Sequence, residues 1–177
     1  MDYLNIIRNN DDLRNDIDAL CDVWIEDNLS ELDRSLGYAK ERFRVFGTDA
    51  SGGVYGLIGD GDIALLPIGN VSSEGQSGRI ADNMEDFFHL ITFCPFWEDL
   101  CWKRGISKES FLQLEAELRE YFDDDYEKMQ SFIARELCLN KDTDVLKNLY
   151  SALTTQPPFI VYCTEDDNPS EHWLREL

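Results

Sequence analysis

Phe43-Arg44-Val45-Phe46-Gly47-Thr48, followed by Val54-Tyr55-Gly56-Leu57-Ile58, is the stretch whose reading decides the fold. Both runs are short and rich in Val, Phe, Tyr and Ile, the residues that fit a pleated, half-buried surface. Thr48-Asp49-Ala50-Ser51-Gly52-Gly53 is a cluster of turn residues that closes the first run, which Phe43, Val45 and Phe46 open. Two neighbouring antiparallel strands are predicted. Asp60-Gly61 comes next, with apolar runs on both sides, and is the strongest short hairpin signal in the chain. It predicts a third strand over Ile63 to Leu66, limited by Pro67, which Ile68 to Val71 can extend beyond the proline. Ser72 to Gly78 reads as a polar loop, with Arg79 to Ala81 leading out of it.

Outside this region the period changes. Upstream, Leu13, Ile17, Leu20 and Trp24 recur at spacings of four, three and four, which predicts an amphipathic helix over 11–25. Leu29, Leu32 and Leu36 predict a weaker helix from Asn28 to Gly37. Downstream, Asn83 is placed to cap a helix with Asp86 three residues on, and Met84, Phe87, Phe88 and Ile91 form its apolar face. Pro95 interrupts it, and Phe96, Trp97, Leu100 and Cys101 suggest a further turn or two. Phe111, Leu114, Leu118 and Phe122 form one helical stripe. Tyr126, Met129, Ile133 and Leu137 form a second, and Val145, Leu149 and Leu153 a third, with Asp142 or Thr143 as its cap. Pro157-Pro158 ends that helix and Phe159 to Cys163 reads as a final strand. The expected fold is α+β: a central, mainly antiparallel sheet flanked by helices, with an additional helical region over 106–155. At 177 residues, one domain over 1–177 is expected, large enough to fold without a metal or disulfide staple.

Charge bounds the partners. Asp and Glu number 36 against 16 Lys and Arg, a formal net charge of −20. Nucleic acid and anionic lipid are repelled by such a field, whereas a basic protein is attracted and associates faster. Solubility alone is the alternative account of the same charge. The five cysteines are Cys21, Cys94, Cys101, Cys138 and Cys163, an odd count with no CxxC pair. Reduced thiols in the cytosol account for them, so a cytoplasmic location is expected. The opening residues show no basic segment followed by an apolar run, and no apolar stretch reaches the length of a membrane span.

Little in the sequence carries chemistry. There are two histidines. His89 sits inside the apolar 87–93 stretch and reads as structural, and neither His89 nor His172 belongs to an HExxH motif. Gly52-Gly53 and Gly56 to Gly61 lack the lysine and hydroxyl of a phosphate loop and read as turn glycines. Asp60-Gly61-Asp62 and Asp123-Asp124-Asp125 do not fit an EF-hand loop. The second run reads as solvated charges between helices, with partner docking as the other use. No catalytic, cofactor or metal residue is expected. Glu74 stands out in its Gly- and Ser-rich loop, either meeting a partner or fixing the loop by accepting backbone N–H bonds.

One resemblance adds to this. Residues 46–55 read Phe-Gly-Thr-Asp-Ala-Ser-Gly-Gly-Val-Tyr. Leu65-Leu66-Pro67-Ile68 follows, then Ser73-Glu74-Gly75 with Gly78, Ile80-Ala81-Asp82-Asn83 and Asp86-Phe87-Phe88. This order of elements resembles the SUKH superfamily, which takes in bacterial toxin-immunity proteins, the bacterial Syd protein and fungal regulators of cell-wall synthesis. The family-like core spans about 43–102; Leu29 to Arg44 lacks the Leu-Pro, tyrosine and Asn-Gly elements of many members. The resemblance implies an α+β fold, a protein partner and no catalysis. For the immunity branch the partner is a toxin domain, often a nuclease or deaminase, whose basic cleft an acidic inhibitor would occlude. The other implied role is an interaction or scaffold protein of the cell-wall-regulator type. The acids expected to meet the partner are those of the family-like segment: Asp60, Asp62, Glu74 and Asp82.

Overall fold

Val54–Ile58 is a strand with the expected bounds, and the strand before it, Phe43–Thr48, runs on through Thr48, into the expected turn. The structure, a computed structural model, describes residues 1–122 and 125–174. The chain begins with two helices, α1 (Tyr3–Arg8) and α2 (Asp11–Cys21), and continues into β1 (Trp24–Glu31), β2 (Tyr38–Ala39), β3 (Phe43–Thr48) and β4 (Val54–Ile58). β5 (Ile68–Val71) and β6 (Gln76–Ala81) follow, then α3 (Met84–Phe93), a short α4 (Trp97–Asp99) running into a π turn, α5 (Lys108–Phe122), α6 (Asp125–Glu136) and α7 (Val145–Leu153). Two short strands, β7 (Val161–Tyr162) and β8 (Glu171–His172), end the described chain. The six-stranded sheet has the order β1-β3-β4-β5-β6-β8, antiparallel except for the β6–β8 pair. β2 and β7 form a separate two-stranded ribbon. The fold is α+β with a mostly antiparallel sheet.

Both faces of the central strands are covered, because side chains alternate along each strand and both sets are apolar. Phe46, Tyr55, Leu57, Ile68 and Ile80 point into the main core beneath the helices. Phe87 of α3 is fully buried there, 5.3 Å edge-on from Phe46 and 5.5 Å from Tyr55. Phe43, Val45, Val54, Ile58 and Val71 point the other way, into a smaller core closed by Phe159 and Val161, with Leu32, Leu36 and Ala39 packed at its edge. The smaller core depends on missing side chains. Gly56 pairs with Gly69 across β4 and β5, and a Cβ on Gly56 would stand 2.5 Å from the Phe43 ring. One on Gly69 would stand 3.0 Å from Phe159. The two bare positions make a slot in which Phe43 and Phe159 stack at 5.0 Å.

Several boundaries differ from the sequence expectation, each for a physical reason. The first long helix stops at Cys21, because Asp22 takes a left-handed conformation (φ 52°) and its N–H closes on Asp18 O. Val23 and Ile25 then alternate with exposed Trp24 as a strand. Trp24 therefore leaves the helical stripe, and the Arg14 guanidinium lies 4.2 Å over its ring. The helix expected from Asn28 to Gly37 is absent: β1 occupies 24–31, with a register shift between Ile25 and Ser30. The strand expected over Ile63 to Leu66 is instead a 3-10 turn over Ile63–Leu65, opened by Asp62 accepting from Ala64 N at 3.0 Å. The partner of β4 is thus the post-proline segment Ile68–Val71. The last three residues of the expected loop over 72–78 are strand, since β6 starts at Gln76. α7 is capped by Asp144, not by Asp142 or Thr143. The expected strand over 159–163 contracts to Val161–Tyr162. Asp123 and Asp124 lie outside the described residues, and Asp125 begins α6.

The Gly56 slot gives the first prediction. Gly56→Ala should lower stability by about 1–3 kcal/mol, the usual cost of overpacking. The same substitution should cost less in a Phe43→Leu background, where the ring that meets the new Cβ is gone. Urea denaturation of the four proteins in this cycle checks it; additive losses would contradict the slot.

Candidate functional site

The strand registers decide where the four singled-out acids go. Leu57 pairs with Ile68, and Ile68 with Ala81, so the β4–β5 loop and the β6–α3 connection leave from the same end of the sheet. Asp60 and Asp62 sit in the first connection and Asp82 in the second. Glu74 sits in the β5–β6 hairpin, at the opposite end, where Val71 pairs with Ser77. The structure therefore brings together Asp60, Asp62 and Asp82 and separates Glu74 from them.

At the first end the acids are exposed. Asp60 pairs with Arg42 at 2.6 Å and Asp82 with Arg79 at 2.7 Å. Both carboxylates are exposed and ion pairs at the surface add little stability, so a partner can re-use these carboxylates at little cost. Asp62 caps the 3-10 turn and thereby presents Ile63 and Leu65, which are 39% and 73% exposed. Of the two, Ile63 lines a groove of about 620 Å3 between α1, Leu29 of β1 and the Asp62–Ala64 turn, to which Met84 also contributes. Its lining carries charges of both signs: Asp2 and Asp62 against the Met1 amino group and the Arg8 guanidinium, with Arg8 Nε donating to Glu26 O at 2.7 Å. The Asp86 carboxyl is pushed up by burial and then by Asp82. The Tyr3 phenol is pushed up to about 12 by burial and by Glu85. The α1 helix and the groove it makes escape a sequence reading, because Tyr3, Leu4 and Ile7 give too few turns for a period to show.

At the other end the Glu74 hairpin holds itself without the Glu74 carboxylate. Ser72 Oγ accepts from Glu74 N at 2.9 Å and donates to Gln76 Oε1 at 2.7 Å, while Gly75 takes a positive φ of 94°. Among the described residues the Glu74 carboxylate makes no hydrogen bond or ion pair, so it does not fix its own loop. Beside this hairpin, Ser73 Oγ donates to Ser51 Oγ at 3.3 Å. Asp49 accepts from Ser51 N, Ser51 Oγ and Gly53 N, and Asp22 accepts from Ala50 N. Glu98, which sequence reasoning did not single out, accepts from the buried Tyr55 hydroxyl at 3.3 Å. Burial first, then Asp49, pushes the Glu98 carboxyl up from 4.5 to about 7, against the opposing hydrogen bond from Tyr55. Asp49 and Asp22 are spent on loop backbone, so Asp22 ties the β3–β4 turn to the end of α2, while Glu98 joins α4 to Tyr55 of β4.

Other reactive groups are occupied by structure. Asn140 N donates to His89 Nε2 at 3.0 Å, which leaves Nδ1 to donate to Glu85 O at 2.9 Å, so both ring nitrogens serve the backbone. His172 accepts from Leu174 N at 3.1 Å, and burial holds its ring below the ordinary imidazole range. Burial pushes the thiols of Cys21, Cys94 and Cys101 up; Cys138 and Cys163 are exposed. Among the described residues, no group of three or more ligating side chains could hold a metal ion, and no helix is long and apolar enough to cross a membrane. Comparisons with protein-family models, with curated proteins and with solved structures found no match to this chain.

Glu98 sets a pH dependence. Between about pH 4.5 and 7 the folded chain holds a proton that the unfolded chain has released. Stability should therefore fall as pH rises through that window, by about 2–3 kcal/mol for this group. Glu98→Gln should flatten the fall and be the more stable protein above pH 7. Urea denaturation across the window measures it; an unchanged slope in Glu98→Gln would place the effect elsewhere.

Proposed function

We propose that the chain is a non-catalytic, cytoplasmic protein-binding domain of the immunity type, which docks on a basic toxin domain of the nuclease or deaminase class and neutralises it by occlusion. The observation that carries this reading is the placing of Asp60, Asp62 and Asp82 at one end of the sheet, with exposed Ile63 and Leu65 on the turn that Asp62 caps and a groove lined by Asp62 and Ile63 beside it. An apolar centre with a charged rim is the usual anatomy of a protein interface. Here the rim is acidic and the whole chain carries −20, so the favoured partner is basic and is steered in from a distance.

Three further points support the reading. The α+β fold, with helices on a mostly antiparallel sheet, agrees with what the SUKH resemblance of residues 46–100 implies. Both ring nitrogens of His89 are engaged by backbone groups; His172 Nδ1 accepts from Leu174 N, which leaves Nε2 as an N–H without a partner among the described residues, and not as a base. The acids that would dock are held only by exposed ion pairs or short caps, so they meet a partner without dismantling the core.

The test uses purified basic toxin domains of the nuclease or deaminase class, screened for one whose activity this chain blocks. Its association rate should fall steeply with added salt while dissociation changes less. Asp60→Lys, Asp62→Lys and Asp82→Lys should each slow association, and Ile63→Asp should weaken binding by at least about 2 kcal/mol, the hot-spot scale. Glu74→Lys, at the far end, should change either quantity less than the other three reversals. Stopped-flow kinetics at low and high salt decide it: a rate indifferent to salt and to all three reversals would overturn the reading, as would turnover of a substrate by the purified chain.

A further inference from the structure

A second groove, of about 790 Å3, lies between the first turns of α5 and α7 and has the opposite character. Three of the chain's six lysines, Lys108, Lys141 and Lys147, line it. Elsewhere the cations are largely spent within the fold. Arg14, Arg42, Arg79, Arg104, Arg119 and Arg135 all sit in ion pairs. None of the three groove lysines pairs with a carboxylate among the described residues. In a chain of net charge −20, acids are abundant, so three lysines without a carboxylate partner around one groove make that surface less negative than the chain as a whole.

Two acids, Asp142 and Asp144, also line it. Asp144 is committed to capping α7, accepting from Lys147 N at 3.1 Å. The N-terminal end of α5 is capped by neutral Ser107, whose Oγ accepts from Ser110 N at 3.1 Å, so its positive dipole end adds to the lysines. The floor is apolar. On α5, Lys108 and Leu112 are four apart and share a face. On α7, Lys147 and Tyr150 are three apart and do the same. Leu112 and Tyr150 are 53% and 56% exposed, large for side chains of their kind.

We infer that this groove docks an acidic, amphipathic segment of a partner protein, with its apolar side chains on Leu112 and Tyr150 and its carboxylates on Lys108, Lys141 and Lys147. A nucleic acid offers no aliphatic face for the floor and meets the repulsion of the whole chain. A basic segment meets three ammonium groups. The inference is independent of the acidic end of the sheet, which takes partners of the opposite charge.

The probe is a fluorescein-labelled helical peptide of about four turns, with leucines spaced three and four apart and glutamates elsewhere. The control keeps the leucines and replaces every glutamate by lysine. Wild type should bind the acidic peptide at least about tenfold more tightly than the control, with affinity falling as salt rises. Lys108→Glu with Lys147→Glu should abolish that preference. Leu112→Ala with Tyr150→Ala should weaken acidic-peptide binding by about tenfold at unchanged melting temperature. Asp60→Lys should leave it alone, which separates this inference from the proposed function. Equal binding of both peptides, or acidic binding that survives both double substitutions, overturns the inference. So does a dimer in sedimentation that the lysine substitutions dissolve, because the groove would then belong to a second copy.

Discussion

The contact on which the rest of the structure depends is Phe87 against Phe46 and Tyr55. It fastens α3 to the two central strands, and Phe88 beside it packs edge-on at 5.2 Å and reaches Tyr3 of α1 at 5.3 Å. One aromatic cluster therefore joins the sheet, the helical layer and the N-terminal helix. Because the opposite face is closed by the Phe43–Phe159 stack, little of the central sheet is open to a partner on either side. Recognition is left to the ends of the sheet and to gaps between helices.

Charge then distinguishes those places. The end that carries Asp60, Asp62 and Asp82 combines exposed acids with exposed Ile63 and Leu65. The far end is also acidic, but Asp22 and Asp49 are engaged in holding the β3–β4 turn and Glu98 is half-withdrawn from solvent beside Tyr55. The gap between α5 and α7 carries lysines. A chain this acidic would be expected to repel acids everywhere; clustering the unpaired lysines relieves that at one spot.

Much of this was legible in the sequence, and the failures have identifiable causes. β3 and β4 were readable because their apolar residues alternate on both faces between Gly-rich turns. The Asn83–Asp86 cap was readable because the side chain and spacing define it, and Asn83 does accept from Asp86 N at 2.9 Å. β1 was hidden because Trp24 falls by coincidence on the helical spacing of Leu13, Ile17 and Leu20, and because Glu26-Asp27-Asn28 is too polar for a strand signal. The β2–β7 ribbon and β8 are two-residue strands paired across distant segments, and no local pattern announces them. The acids of the site were legible as residues. Their division between two ends was not, since it required knowing that Ile63–Leu65 is a turn and that Gln76 already belongs to a strand.

The most direct test of the central claim, that the Asp60–Asp62–Asp82 end receives a basic partner, is chemical-shift mapping of the backbone amides during titration with that basic domain. The account predicts perturbations centred on α1, residues 60–66 and residues 82–85, shrinking as salt is added. Perturbations centred on the Ser72–Gly75 hairpin, or a map indifferent to salt, would contradict it.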